Sequence, residues 1–158
     1  MDIPTTDERL EDIRTEVLVL FDPKDEPAPQ GRLGRLDWIL LSPVSRLRAR
    51  GKFTGERDSS VLLRPHHKVK AERVLVVGLG ERAEFSMTAL YRLSYQTAQT
   101  ILDLRCTQIA LDLPFRLFPK EPPEKIRRAF LEGFLAELTR GRPDVEFAVT
   151  TLSPAADP

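Results

Sequence analysis

The stretch Glu16-Val-Leu-Val-Leu-Phe21 is a continuous apolar run that ends at Asp22-Pro23. A second run of the same kind, Arg73-Val-Leu-Val-Val77, is followed at once by Gly78-Leu79-Gly80. Apolar, β-branched runs without polar alternation are typical of strands that helices bury on both faces. These two stretches therefore predict a sheet that has a helical layer on each side.

Helices and strands alternate along the rest of the chain. Helices are predicted where apolar residues recur at three- and four-residue intervals, and strands where short apolar runs end at turn residues. Ser42 and Ser86 precede two of these helices and are predicted N-caps, and Trp38 is expected to pack at the flank of the first helix. The predicted helices are 32–41, 44–50, 87–104 and 123–140, and the remaining predicted strands are 59–64, 107–113 and 145–152.

This order of elements predicts an α/β fold, a single three-layer α/β/α domain over residues 1–158. Strands 59–64 and 73–77 are joined too closely for a right-handed crossover, so we expect them to pair antiparallel. The sheet is therefore predicted to be mixed and mostly parallel. Residues 1–13 are expected to form an acidic N-terminal arm and residues 153–158 a frayed tail.

Length and composition narrow the class of protein. The chain has 158 residues, of which 41% are hydrophobic and 30% charged, and this balance suits one folded domain. No apolar run reaches the roughly 18 residues of a membrane span, and the acidic start is unlike a secretory leader. Together with the single cysteine, Cys106, these features predict a cytoplasmic protein that does not contact a membrane.

The net charge of zero conceals an uneven distribution. Residues 1–31 carry nine acids against three bases, whereas residues 32–82 carry twelve bases against five acids. Two interpretations remain open: the two segments pair within the molecule, or the basic segment presents a surface to an anionic partner. The simplest interpretation of the basic residues is a solvated face, made of Arg46, Arg48, Arg50, Lys52 and Arg57.

Gly78 and Gly80 are a weak candidate for an anion-binding turn. Glycines directly after a strand can let backbone N–H groups approach a small anion. The segment has no third glycine at Rossmann spacing and no Gly-Lys-Ser/Thr ending of a P-loop. A tight structural turn is therefore the simpler interpretation of these two glycines.

No catalytic or metal-binding constellation is recognisable in the sequence. His66 and His67 are adjacent, so on an extended segment they point to opposite faces, and they lack the spaced partners of a metal site. Cys106 has no predicted base beside it and is interpreted as a packing residue. Gly133, inside the last helix, predicts close packing of that helix against the sheet. We therefore predict no catalytic residue, no metal and no cofactor.

Four segments, taken in order, resemble a known protein family. They are Glu16–Phe21, Leu47–Gly55 with its Gly-Lys-Phe-Thr-Gly ending, Ala71–Arg82 with the glycine turn, and Ala129–Leu138 with its Glu-Gly pair. Together they resemble the N-terminal domain of the M17 leucyl aminopeptidase family over roughly residues 14–152. The resemblance implies a macro-domain-like fold, in agreement with the predicted order of elements.

The resemblance also implies what this sequence lacks. In the family, two metal ions and their Asp, Glu and Lys ligands belong to the C-terminal domain, and no position of this chain matches one of them. The last helix ends at Thr139-Arg140-Gly141 instead of continuing toward a catalytic part. The sequence is either a fragment of a longer protein or a free-standing domain, and the acidic start and the Pro-Ala-Ala-Asp-Pro end favour the free-standing domain.

Three functions remain open at this point. The first is a non-catalytic interaction or regulatory module that binds a partner protein or a second copy of itself. The second, by analogy of fold, is a module for a nucleotide, ADP-ribose or another small anionic ligand near Gly78 and Gly80. The third is nucleic-acid binding through residues 32–82, which the resemblance implies because some family members bind DNA. It ranks last because the acidic segment weakens the electrostatic attraction that DNA binding requires.

Overall fold

A computed structural model describes residues 2–154 and contains one six-stranded sheet between two helical layers. The strands in chain order are β1 (Thr5–Thr6), β2 (Val17–Pro23), β3 (Ser60–Leu63), β4 (Arg73–Gly80), β5 (Gln108–Leu111) and β6 (Ala148–Leu152). Their order across the sheet is β1-β6-β5-β2-β4-β3. Every neighbouring pair is parallel except β3 with β4. The predicted mixed, mostly parallel sheet and its antiparallel pair are confirmed.

The four helices begin and end within two residues of their predicted positions. Three short 3₁₀ turns lie in the connections, at Leu10–Asp12 between two strands and at Arg82–Glu84 and Phe115–Leu117 between a strand and a helix. The helices are α1 (Gly31–Ile39), α2 (Pro43–Ala49), α3 (Met87–Leu104) and α4 (Pro123–Gly141).

The two faces of the sheet carry separate apolar cores, which confirms the three-layer α/β/α arrangement. Every residue of β2 is buried, as its unbroken apolar run predicts. Val17 and Val19 belong to the core under α3 and α4, whereas Leu18 and Leu20 belong to the core under α1 and α2. The alternation of side chains along a strand thus divides one apolar run between two cores.

Two parts of the sheet differ from the sequence prediction. Part of the acidic arm forms β1, an edge strand in which Thr5 lies opposite Thr151 of β6. In addition, β4 continues through Gly78 to Gly80 and pairs there with the end of β2, so these glycines belong to a strand and not to a turn. Gly78 is required because a Cβ at that position would overlap the carbonyl oxygen of Glu56 in the loop above it.

One predicted helix cap is confirmed and one is wrong. Ser86 caps α3, and its hydroxyl accepts a hydrogen bond from the N–H of Ala89 at 3.2 Å. Ser42 precedes α2 but its side chain forms no cap hydrogen bond. Asp37, in α1, caps α2 instead: its carboxylate accepts the N–H of Val44 at 2.7 Å and the hydroxyl of Ser45 at 2.6 Å.

Gly133 permits close packing, but the neighbour is a helix and not the sheet. A Cβ at Gly133 would overlap the hydroxyl of Ser94 and touch Tyr91, both in α3. The prediction that Gly133 faces the sheet is therefore wrong. The position instead allows α4 to approach α3, its neighbour in the same helical layer.

The two ends of the described chain lie side by side at the edge of the sheet. Ser153 donates its N–H to the carbonyl of Thr6 at 3.0 Å, which extends the pairing of β6 with β1. Most of the predicted tail, 155–158, lies outside the described residues. Within residues 2–154, no helix is long and apolar enough to cross a membrane.

Candidate functional site

The strand order creates a crevice at the carboxyl ends of β2 and β5, which are neighbours in the sheet. After β2 the chain turns to α1 on one face, and after β5 it continues to α4 on the other face. Neighbouring parallel strands whose connections leave in opposite directions define a topological switch point, where α/β proteins bind ligands. A cavity of about 860 Å³ lies at this point, and we call it the crevice.

The crevice has an apolar wall and a charged rim. Phe21 at the end of β2 and Leu79 at the end of β4 contribute buried apolar surface. Leu113 and Phe118, from the segment after β5, complete the apolar part of the wall. The charged residues that line the crevice are Glu26, Arg32, Arg82, Asp112, Arg116 and Glu121.

Two ion pairs join the segments on either side of the crevice. Glu26, in the loop after β2, accepts two hydrogen bonds from Arg116, after β5, at 2.5 and 2.6 Å. These bonds raise the pKa of Arg116, although burial opposes the shift. Arg32, in α1, lies 2.8 Å from Asp112, just beyond β5, and also donates to the carbonyl of Ser153. The crevice is therefore held in shape by charged contacts between segments far apart in sequence.

A third ion pair lies beside the crevice, and its carboxylate is fully buried. The Asp22 side chain is completely buried at the end of β2, and its Oδ2 lies 2.7 Å from Nη2 of Arg48 in α2. Burial raises the pKa of Asp22, and the contact with Arg48 partly opposes this shift. Arg48 also donates to the carbonyl of Pro23 at 2.8 Å. It therefore binds the β2 end, and its interpretation as part of a solvated face is wrong.

The structure favours internal pairing of the acidic and basic segments. Besides Arg48 with Asp22, Arg35 lies 2.5 Å from Glu11 and Lys70 lies 3.9 Å from Asp12. Each of these pairs joins a base of residues 32–82 to an acid of residues 1–31. The contacts reduce the positive field that an anionic polymer would require.

Gly78 and Gly80 do not offer their amides to a ligand. The N–H of Gly78 donates to the carbonyl of Ser59 at 2.8 Å, and the N–H of Gly80 donates to the carbonyl of Gly55 at 2.8 Å. Leu79, between them, is the residue of this trio that lines the crevice. Both backbone donors of the candidate anion-binding turn are therefore already used within the domain.

The other residues that the sequence singled out lie apart from the crevice. His66 and His67 are exposed in a turn, and both have positive φ angles. Cys106 is buried, accepts a hydrogen bond from Arg73 at 3.0 Å, and its pKa is raised by burial. Among residues 2–154, no three His, Cys, Asp or Glu side chains come together as a possible metal site.

An exposed apolar patch lies at the end of α1, away from the residues that line the crevice. Trp38 is 78% exposed and Leu41, three residues later, is 64% exposed, so Trp38 does not pack at the helix flank as predicted. Leu41 and Ser42 both have left-handed backbone angles, with φ of 67° and 64°. We call Trp38 and Leu41 the Trp38 patch.

Sequence reasoning missed the residues of both surfaces. Glu26 lies in a proline-rich loop and Arg116 in a short turn, where no periodic pattern exists. The only usable indication was the strand order, since a switch point can be located once the topology is known. The sequence singled out Trp38, but its apolar character predicted that it packs against the helix flank.

The fold is that of a macro-domain-like α/β/α domain. The Trypanosoma brucei macrodomain, solved in complex with ADP-ribose, superposes with a TM-score of 0.66 at 12% identity, over 88% of this chain and 58% of that chain. At this level of identity the likeness concerns the fold alone.

The chain belongs to the cytosol aminopeptidase family, and the model of that family's N-terminal domain matches residues 17–140. A probable cytosol aminopeptidase of Sulfurihydrogenibium is 25% identical over 135 residues, which are 85% of this chain and 26% of that protein. A mutant of tomato leucine aminopeptidase superposes with a TM-score of 0.69 at 19% identity, over all of this chain and 33% of that one. The chain thus spans about a quarter of the curated relative that it matches, and the catalytic domain is absent from this sequence.

Proposed function

We propose that this domain is a non-catalytic protein-interaction module, and that it works in the cytoplasm. The observation that carries the proposal is the Trp38 patch, where a tryptophan and a leucine three residues apart in sequence are both largely exposed. Large exposed apolar side chains that are neighbours mark interaction sites more often than single ones do. Tryptophan is also among the residues that contribute most to binding energy at protein interfaces.

The backbone beneath the patch supports this proposal. The buried carboxylate of Asp37 caps α2, and its carbonyl accepts the N–H of Ser42 at 2.6 Å. Arg46 donates to the carbonyl of Leu41. These contacts hold two consecutive non-glycine residues in the left-handed region, a costly conformation. The patch is thus presented by a rigid turn, and rigidity lowers the entropic cost of binding.

Charge around the patch selects the partner. Arg46 and Arg50 are exposed on successive turns at the end of α2, and Arg35 is exposed one turn before Trp38, paired with Glu11. A symmetric contact with a second copy would bring these arginines toward one another. We therefore propose an acidic partner: a protein segment with an apolar residue that packs on Trp38 and carboxylates that face the arginines.

Trp38 is the only tryptophan of the chain, so its fluorescence reports on this surface directly. The probe is a helical peptide with leucines one turn apart and glutamates elsewhere, compared with the same peptide carrying lysines. We expect the acidic peptide to shift Trp38 emission to the blue and to bind at least 10-fold more tightly than the basic one.

Substitutions that keep the reporter provide the controls. Leu41→Asp should abolish the response, whereas Leu62→Asp, at an exposed leucine on β3, should leave it unchanged. Equal binding of both peptides, or an unchanged response in Leu41→Asp, would contradict the proposal. A dimer of the free domain that Leu41→Asp dissociates would instead identify a second copy as the partner.

A second candidate function is the binding of a small anionic ligand in the crevice. A cavity of about 860 Å³ with an apolar wall and arginines on its rim supports it, because ligand sites of α/β proteins lie at such switch points. The Trypanosoma brucei neighbour was solved with ADP-ribose. Calorimetry with ADP-ribose tests this candidate: we expect saturable heat, and its absence at millimolar ligand would contradict it.

A further inference from the structure

Arg82 and Arg116 reach the rim of the crevice from the ends of two different strands. Arg82 follows β4, Arg116 follows β5, and Glu26, from the loop after β2, contacts both. Oε2 of Glu26 lies 2.5 Å from Nη1 of Arg116 and 3.8 Å from Nη1 of Arg82. The Glu26 side chain is only 5% exposed, whereas the two arginine side chains are 52% and 42% exposed. A buried carboxylate thus positions two half-exposed guanidinium groups on one cavity.

Both guanidinium groups retain donors that the domain itself does not use. Glu26 accepts one hydrogen bond from each terminal nitrogen of Arg116, which leaves the Nε–H and the outer N–H groups. The side chain of Arg82 is held more loosely, because its carboxylate partners, Asp25 and Glu26, lie 3.6 and 3.8 Å away. Unused guanidinium forks match the paired oxygens of a phosphate group.

The rest of the charged rim is already paired. Arg32 compensates Asp112, and Lys125 lies 2.9 Å from Glu121. Asp25 interacts with Arg82 but does not line the crevice. The remaining charged side chains on the wall are therefore two guanidinium groups and one carboxylate, with Asp25 as a second carboxylate beside Arg82. These arginines thus offer hydrogen-bond donors to an anion and not an excess of charge.

We infer that Arg82 and Arg116 bind the phosphate groups of an organic phosphate whose apolar or planar body packs on the wall of the crevice. The inference rests on the proposed ligand-binding role of the crevice, and it specifies the chemical class of the ligand. The body is required because the cavity is far larger than an inorganic anion. Phe21, Leu79 and Phe118 supply the apolar surface for it.

The test measures binding of ADP, adenosine and inorganic pyrophosphate to the full chain by calorimetry. We expect ADP to bind at least about 10-fold more tightly than adenosine, since a hydrogen bond to a charged group has about this effect. Arg82→Ala should weaken the binding of ADP about 10-fold and leave the binding of adenosine unchanged. Arg128→Ala, at an exposed arginine of α4, is the matched control and should behave as the wild type.

Arg116 requires a gentler substitution because its removal would leave Glu26 buried without a cation. Arg116→Lys keeps the positive charge but loses the forked hydrogen-bond donors of the guanidinium group. It should also weaken the binding of ADP about 10-fold.

We expect pyrophosphate to bind more weakly than ADP, because it has no body to pack on Phe21, Leu79 and Phe118. Pyrophosphate that binds as tightly as ADP would overturn the claim that the ligand is an organic phosphate. ADP binding that is unchanged in both variants would overturn the arginine pair but not the crevice as a ligand site. No binding of ADP to the wild type would overturn the inference. Whether the crevice binds a small anionic ligand at all is tested separately, by the calorimetry with ADP-ribose.

Discussion

Asp22 and Asp37 are buried carboxylates whose partners lie on other elements of the fold. Asp37 is flanked by Leu36 and Trp38 inside a helical pattern, and nothing in that pattern indicates that it caps the next helix. Ser42 was the predicted cap because of its place in sequence. Its left-handed backbone differs from the extended backbone of a side-chain cap, which explains why the prediction failed.

Substitution of Asp37 compares the two possible caps of α2. We expect Asp37→Ala to lower the free energy of unfolding by about 2 kcal/mol, because two backbone N–H groups and a hydroxyl lose their acceptor. Ser42→Ala should change it by less than about 0.5 kcal/mol. Urea unfolding of both variants measures the difference, and similar losses in the two would contradict this assignment of the cap.

Arg48 and Arg50 are two residues apart in the basic segment but should differ in their effect on stability. Arg48→Met leaves Asp22 buried without a cation and should cost about 3 kcal/mol at neutral pH. Arg50 is exposed, so Arg50→Met should cost almost nothing.

The effect of Arg48→Met should depend on pH in a defined direction. Burial raises the pKa of Asp22, so the contribution of this group is lost as the pH rises through that pKa. Without Arg48 the pKa rises further, and the deficit should shrink as the pH is lowered and Asp22 takes up a proton. Urea unfolding between pH 7 and pH 4 tests this, and a constant deficit would contradict the buried pair.

At the scale of elements, the sequence predicted the helices and most strands because their apolar periodicity extends over several residues. It missed β1, since two threonines carry no periodic pattern and their strand exists only through pairing with β6. It also ended β4 too early, because glycines suggest a turn where no neighbour is known. The loop that contains Glu56 packs against Gly78, and this contact explains why the strand carries a glycine there.

The contact between α3 and α4 depends on the absence of a side chain at Gly133. Gly133→Ala should lower the free energy of unfolding by about 1–3 kcal/mol, because the new Cβ overlaps the hydroxyl of Ser94. The double variant Ser94→Ala with Gly133→Ala should be at least as stable as Ser94→Ala alone. The nearest remaining contacts are then ordinary, at 3.4 and 3.5 Å, and alanine favours the helix by about 1 kcal/mol. Thermal unfolding checks this, and a double variant as unstable as Gly133→Ala would argue against this contact.

Glu16 joins the beginnings of β2 and β5. Its Oε1 accepts hydrogen bonds from the N–H groups of Thr107 and Gln108, both at 2.9 Å, and these bonds lower the pKa of Glu16. A lowered pKa means that the stabilisation is present above about pH 4.3 and is lost as the pH falls through the folded-state pKa.

Glu16→Gln should therefore cost about 1 kcal/mol at pH 7, because the acceptor loses its charge, and much less at pH 3. Urea unfolding at the two pH values gives both differences. Glu132→Gln, at an exposed position of α4, is the control and should have little effect at either pH. A cost for Glu16→Gln that does not change with pH would show that the charge is irrelevant.

At the scale of the whole molecule, the position of the crevice follows from the strand order and not from any pattern of residues in the sequence. The crevice exists because β2 and β5 are neighbours with connections on opposite faces, and no motif marks Glu26 or Arg116 in the sequence. The net charge of zero left two interpretations open, and the contacts between the acidic and basic segments favour internal pairing. Trp38 contradicted its expected burial, and this departure identified the proposed interaction surface.

The central claim joins the fold of an aminopeptidase N-terminal domain to the proposal that this chain acts by binding and not by catalysis. The most direct measurement is hydrolysis of a leucyl-anilide substrate by the purified chain with manganese or zinc added. We predict no turnover above a blank without protein. Metal-dependent turnover that co-purifies with the folded chain would contradict the account.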